Sequence, residues 1–280
     1  MKKILVLGSS GQIGSELCEF LKLNYKVYKF DIENSQNEDL RIKSNKKFIN
    51  LLRKSEFVFF LAFDVGGSRY LSKYQNSYNF TMNNIKIMEN VFEELKKNKK
   101  PFIFASSQMS NMSISQYGIL KKTGELLTAK LNGITVRFWN VYGIENNLNK
   151  SHLITDLILN GLKNKKKYYL RTNGLEERDF LHARDCCDAL ELIMKRFNFF
   201  KKKKIIDLRY GKFTKVINVC KIVKKIMNKR KINIKFIPSK NNDDIQNKKN
   251  IGDSYFFKFW RPKISLQNGL EKILEYYEKK

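Results

Sequence analysis

The chain has 280 residues, 42% of them hydrophobic and 13% aromatic, which is enough to bury a sizeable core and excludes a disordered chain. No apolar run approaches the roughly 20 residues that a membrane span needs, so no membrane association is expected. The formal net charge of +28 is spread over scattered short runs such as Lys96–Lys97, Lys165–Lys167 and Lys201–Lys204; with no RNA-binding or helix-turn-helix signature, it argues for retention of small anions and against a nucleic-acid partner.

In chain order, MKKILVLGSSGQIG comes first, a basic start whose apolar run meets glycine after four residues. That run is too short for a signal-peptide core and predicts a buried strand over Ile4–Leu7. Apolar runs at Val27–Phe30, Phe57–Ala62, Phe102–Ala105 and Ile134–Trp139 predict four more. Between them Ile13–Leu23, Phe48–Lys54, Asn84–Leu95 and Tyr117–Leu131 carry apolar residues at helical spacing. Such alternation predicts an α/β fold, a doubly wound parallel sheet with helices on both faces. Beyond Gly143 the pattern loosens. Helices are predicted near Leu153–Leu162, Asp185–Phe197, Val216–Met227 and Leu266–Tyr277, with strands at Ile205–Leu208 and Ile232–Ile237 and a polar loop over Pro238–Asp253. Cys18, Cys186, Cys187 and Cys220 lack metal-ligand spacing, so they read as free thiols in a reducing cytoplasm and no metal site is expected.

The first strand runs directly into GSSGQIG, with Gly8, Gly11 and Gly14 at three-residue spacing and a helical pattern immediately after. Glycine is required where the backbone turns tightly or approaches a pyrophosphate, and the amides of the following helix start face that anion. This makes the sheet Rossmann-like, with Gly8, Ser10, Gly11, Gln12, Ile13 and Gly14 as cofactor contacts. Asp31, 17 residues beyond Gly14 at the end of the second strand, would accept hydrogen bonds from the adenosine ribose and repel a 2′-phosphate. With its neighbour Ile32 it predicts NAD as the cofactor.

Tyr117 and Lys121, four residues apart in SQYGILKKTGE, raise the question of an acid–base pair. Spacing alone decides nothing, because Tyr25 with Lys29 and Tyr276 with Lys280 share it. The surroundings decide. The glycines, Asp31, Asn84, Ser106–Ser107, Tyr117–Gly118, Lys121, Glu125, Asn140–Val141–Tyr142–Gly143, Arg178–Asp179–Phe180–Leu181–His182 with Asp185, and Trp260–Arg261–Pro262 together resemble the extended short-chain dehydrogenase/reductase family of sugar-nucleotide epimerases and dehydratases. The resemblance covers essentially the whole chain. LAFDVGG (Leu61–Gly67) and Ser151–His152–Leu153 look most like members acting on GDP-sugars, such as GDP-mannose 3,5-epimerase, GDP-fucose synthase and the bacterial GDP-heptose enzymes of capsule synthesis.

The resemblance implies that residues 1–148, joined by the strand 205–208, bind NAD, and that residues 149–280 form a smaller domain for the sugar nucleotide. It adds Asp39 and Leu40 at the adenine and Leu61 and Ala62 near the nicotinamide half. It makes Tyr117 the catalytic base, with Ser107 orienting the reacting hydroxyl and Lys121 holding the nicotinamide ribose. A nearby ammonium and the nicotinamide cation are both expected to favour phenolate; moving a phenol from near 10 to near 7 takes roughly 4 kcal/mol. Substrate contacts fall on Val65, Gly66, Gly67, Asn140, His152 and Arg178, with Arg178 suited to a diphosphate, or else held in a structural network around Asp179 and Asp185.

Where the family's dehydratases carry an Asp–Glu pair this chain has Gln108 and Met109, so 4,6-dehydration is not expected. Oxidation at C4 of a GDP-linked hexose or heptose is the reading that remains. An epimerase or 4-reductase with His152 as the acid is the alternative, as is a non-catalytic NAD-binding partner subunit. His182 reads as structural. The resemblance also implies a homodimer through a four-helix bundle, with Ile85, Met88, Phe92, Leu127 and Leu131 as the apolar surface, unless those residues face the sheet.

Overall fold

Four consecutive apolar side chains after Lys3, all fully buried, form β1 (Lys3–Leu7) in the interior of the molecule. The computed structural model describes residues 1–112, 114–163, 165–240 and 250–280. The first half continues through α1 (Gln12–Leu21), β2 (Lys26–Phe30), α2 (Lys46–Lys54), β3 (Phe57–Phe60), α3 (Ser68–Tyr74), α4 (Tyr78–Asn98), β4 (Phe102–Ser107), α5 (Gln116–Lys130) and β5 (Ile134–Phe138). The second half holds β6 (Asn140–Tyr142), α6 (Leu153–Leu162), β7 (Lys167–Tyr169), β8 (Glu177–His182), α7 (Ala183–Lys195), α8 (Phe197–Phe200), β9 (Ile205–Leu208), β10 (Phe213–Lys215), α9 (Val216–Lys229), β11 (Lys235–Ile237) and α10 (Leu266–Glu278).

Six strands form one parallel sheet in the order β2-β1-β3-β4-β5-β9. Because both faces are covered, its inner strands β1 and β3 carry continuous apolar runs, ILVL and FVFF. One face buries Leu17, Cys18 and Leu21 of α1 with Cys186, Leu190 and Ile193 of α7. The other buries Phe48 of α2, Phe80 and Val91 of α4 and Leu120 of α5. From β1 the chain turns to β2 on one side and later to β3 on the other, which opens a crevice at the carboxyl ends of these strands, the usual ligand position in such sheets. A smaller sheet, β10-β8-β6, and the pair β11-β7 cover a third core beneath α6, α9 and α10. Among the described residues no helix is long and apolar enough to cross a membrane.

Several elements differ from the sequence expectation. Helix α4 starts at Tyr78, six residues before Asn84, because the Ser77 hydroxyl caps it by accepting from the Phe80 amide. Strand β3 stops at Phe60, and β11 covers only Lys235–Ile237 of the predicted Ile232–Ile237. Of the loop expected over Pro238–Asp253, residues 241–249 lie outside the described residues. The apolar surface expected for pairing of helices is also corrected. Met88 and Phe92 are buried against the sheet and Leu131 packs on the same core; Ile85 and Leu127 are exposed, and Ile119 and Leu126 of α5 join them.

Helix α5 approaches β4 closely because it carries glycine where it crosses Phe104. A Cβ at Gly124 would lie 2.3 Å from the Phe104 ring, itself wedged between Phe60 and Phe92. Gly124→Ala is therefore expected to lower stability by about 1–3 kcal/mol from overpacking, outweighing a helix-propensity gain of about 1 kcal/mol. A drop in thermal midpoint of several degrees would show this, and an unchanged or raised midpoint would contradict it.

Candidate active site

The crevice opens into a cavity of about 690 Å³ that extends from the glycine loop to the sheet formed by β10, β8 and β6. Gly8 turns the chain at φ +85°, and a Cβ there would sit 2.6 Å from the Ala62 amide. A Cβ at Gly14 would sit 2.0 Å from the Gly8 carbonyl, so α1 packs directly on the turn. No side chain caps α1 at Gly11, which leaves first-turn amides for an anion. Asp31 ties this loop to β2 by accepting from the Ser10 amide at 2.8 Å and the Glu33 amide at 3.0 Å. A diphosphate-linked dinucleotide fits this cradle. Gly8, Ser10, Gly11, Gln12, Ile13, Gly14, Asp31, Ile32, Leu40, Leu61 and Ala62 all line the cavity. Asp39 lines it too, with its carboxylate engaged by Arg41 at 2.8 Å.

At the middle of the cavity stand Ser107, Tyr117 and Lys121. Gly118 lets the first turn of α5 approach the Met109 carbonyl, where a Cβ would come within 2.2 Å. Two turns further on, Glu125 is buried and accepts from Ser106 Oγ at 2.7 Å and from Arg137 Nε and Nη2 at 2.6 Å each, which locks α5 onto β4 and β5. Between these fixed points Lys121 Nζ donates to the Ala105 carbonyl at 2.7 Å and lies 3.7 Å from the centre of the Phe63 ring. Its amine is pulled down to about 7 by burial, with the Glu125 charge opposing. The Tyr117 phenol is pushed up to about 12 by burial, with Ser107 opposing. This corrects the expectation that Lys121 lowers the phenol: the ammonium is 5.8 Å from the ring centre, and desolvation dominates both groups.

The other end is assembled from distant segments. Buried Asn84 accepts from the Asp64 amide at 2.7 Å and donates to its carbonyl at 3.1 Å, fixing the loop after β3. That loop carries Val65, Gly66 and Gly67 into the cavity wall. Gly67 meets the segment before α6, where a Cβ would fall 2.1 Å from the Ser151 carbonyl, and its amide donates to the Lys150 carbonyl. His152 thereby reaches the cavity together with Asn140 and Arg178. Asp179 does not face it: buried in β8, it accepts from the Tyr210 and Gly211 amides and lies 3.5 Å from Arg209. Asp185 likewise accepts from the Lys263 and Ile264 amides. His182 caps α7, its Nδ1 accepting from the Arg184 amide, and burial drops its pKa to about 4.

Sequence reasoning missed Glu145. Its buried carboxylate accepts from the His152 backbone amide at 2.9 Å and stands 2.6 Å from His152 Nδ1. Burial would lower the imidazolium pKa, yet the Glu145 hydrogen bond and charge, with Asp156 adding to them, hold it above its ordinary value. Nothing periodic marks an acid in the loop GIENN; the available signal was a carboxylate seven residues before a candidate acid.

A doubly wound sheet with a glycine-rich dinucleotide crevice and a Ser–Tyr–Lys set at its centre defines the class. The family model for the NAD dependent epimerase/dehydratase family matches residues 4–208, and the chain belongs to that family. It is an NAD-dependent enzyme of the extended short-chain dehydrogenase/reductase type. An uncharacterized protein of Methanocaldococcus jannaschii is 25% identical over 99% of this chain and 96% of its own length. A GDP-L-fucose synthase of Sinorhizobium fredii is 31% identical over 51% of this chain and 46% of its own. Among solved structures, a GDP-6-OMe-4-keto-L-xylo-heptose reductase of Campylobacter jejuni superposes with a TM-score of 0.84 at 18% identity, covering 99% of this chain and 98% of that one. Other structures of similar fold are named as UDP- and dTDP-sugar enzymes.

The lysine supplies a pH test. The unfolded chain keeps this proton up to the ordinary 10.5, whereas the fold releases it from about 7. Between those values the unfolded state binds more protons, so the Lys121 contribution to stability rises with pH. Compared with Lys121→Met by urea melts, wild type is expected to gain on the variant by on the order of 3 kcal/mol between about pH 6 and about pH 9.5. Parallel pH profiles would contradict this.

Proposed function

We propose that this enzyme oxidises C4 of a GDP-linked hexose or heptose to a 4-keto sugar nucleotide, in the cytoplasm, for surface-polysaccharide synthesis. The observation that carries the reading is the set Ser107, Tyr117 and Lys121 in the middle of the cavity, beside positions that cannot supply an elimination acid. Met109 is apolar, and the Gln108 side chain and carbonyl engage the Asn250 amide. NAD, which the glycine loop, Asp31 and Lys121 would hold, would supply the hydride acceptor and a positive charge that favours phenolate. Tyr117 then takes the C4 hydroxyl proton, Ser107 orients that hydroxyl, and Lys121 holds the ribose and keeps the phenol's surroundings polar. Arg178 and Asn140 are assigned to the diphosphate side, where a guanidinium matches phosphate oxygens. The GDP-linked substrate draws support from the fucose synthase relative and from the GDP-heptose names among proteins of the same fold.

A second reading, 4-reduction or epimerisation with His152 as acid, is favoured by the Glu145–His152 pair. A homodimer through α4 and α5 belongs to the same proposal, with exposed Ile85, Ile119, Leu126 and Leu127 as its apolar surface. Purified protein incubated with NAD and individual GDP-sugars is expected to form a 4-keto product detectable by mass spectrometry, with Tyr117→Phe slower by about 10²–10⁴-fold. Absence of ketone from every GDP-sugar would reject the first reading, and solvent deuterium entering C3 or C5 would establish the second.

A further inference from the structure

Four segments meet at His152. The loop after β6 brings Glu145, whose two carboxylate oxygens take the ring Nδ1 and the backbone amide of the same residue. The first turn of α6 brings Asp156, paired with Arg69 of α3 at 2.5 Å and with Ser151 Oγ at 2.5 Å. Lys150, two residues earlier, is drawn off to Asp64 at 3.2 Å. Helix α10 brings Tyr277, whose hydroxyl accepts from the Glu145 amide at 2.8 Å and donates to the Glu145 carbonyl at 2.9 Å. The backbone that carries the carboxylate is therefore anchored at both its amide and its carbonyl. Glu145 is 5% exposed, whereas the His152 side chain is 42% exposed and lines the cavity. Among the described residues Nε2 makes no hydrogen bond.

We infer that Glu145 is a positioning residue: it grips His152 at Nδ1, fixes the ring, and leaves Nε2 as a proton donor facing the sugar half of the cavity. A carboxylate at Nδ1 stabilises the doubly protonated ring and sets which nitrogen is outward. The pair would serve a step in which a sugar oxygen or carbon gains a proton: the Nε2–H bond breaks, the substrate atom takes the proton, and the neutral ring keeps Nδ1–H on Glu145. This use rests on the proposed sugar-nucleotide chemistry, but the pair itself does not.

The experiment separates the two. The chain has two histidines, so His152 and His182 can be assigned in NMR titrations with a His182→Gln reference. His182 is expected to titrate near 4 and His152 above 6.5. In Glu145→Gln the His152 midpoint is expected to fall to 6.5 or below, while Glu145→Asp keeps part of the elevation. The Tyr277 clamp engages only the backbone of residue 145, so these variants retain it; an unchanged His182 titration checks the fold. Should Glu145→Gln not fold, Tyr277→Phe provides the second route, loosening the loop and lowering the same midpoint. A His152 midpoint at or below 6.5 in wild type, or one indifferent to both substitutions, overturns the inference. With active protein, Glu145→Gln is expected to reduce turnover by about tenfold and shift the acid-dependent limb of the rate profile to lower pH, less than the 10²–10⁴-fold loss expected when a general acid itself is removed. An intact titration with no turnover of any GDP-sugar supports the pair and counts against the activity alone.

Discussion

Gly118 and Gly124 let α5 lie against β4 and the turn after it, and Glu125 then fastens the helix through Ser106 and Arg137. The other parts of the site are arranged around this close approach. It carries Tyr117 and Lys121 into the interior, where water cannot support a charge on either. Proximity of the two groups does not make a phenolate; the same burial that positions the phenol opposes its ionisation. A site of this kind is poised for the arrival of a cationic ring, because in a dry pocket an added positive charge acts with little screening.

The opposite wall follows a different logic. Asn84 has no contact with the chemistry, yet it binds both backbone groups of Asp64 and so sets the path of the loop that carries Gly66 and Gly67. Gly67 in turn admits the Lys150–His152 segment against that loop. The wall that carries Gly66, Gly67 and His152 is therefore placed by backbone contacts between segments roughly 80 residues apart, while the glycine cradle is a single turn of seven residues, Gly8–Gly14.

That contrast explains what could be read from the sequence. The central strands were legible because parallel strands buried on both faces must be apolar throughout, as in ILVL and FVFF. The glycine loop was legible because its constraint is local. Strand β8, ERDFLH, mixes buried Asp179 with apolar residues and shows neither period, and α3 buries only Leu71, so neither could be drawn from periodicity. Met88 and Phe92 were ambiguous because an apolar residue on a helix does not say which neighbour it faces; the sheet took both. Every residue singled out for the site does line the cavity, but the electrostatic balance at Tyr117 and Lys121 depends on burial, which a list of residues does not contain. Glu145 escaped for the same reason, since its partner on the far side, Tyr277, is 132 residues away.

The Tyr277 hydroxyl closes a ring with both main-chain groups of Glu145, and it does so from a helix that contributes nothing to the dinucleotide crevice. The two ends of the cleft consequently rest on separate foundations. Fraying of that final helix would slacken the loop of Glu145 and the seat of His152 first and leave the glycine cradle standing, so the two ends would come apart at different times.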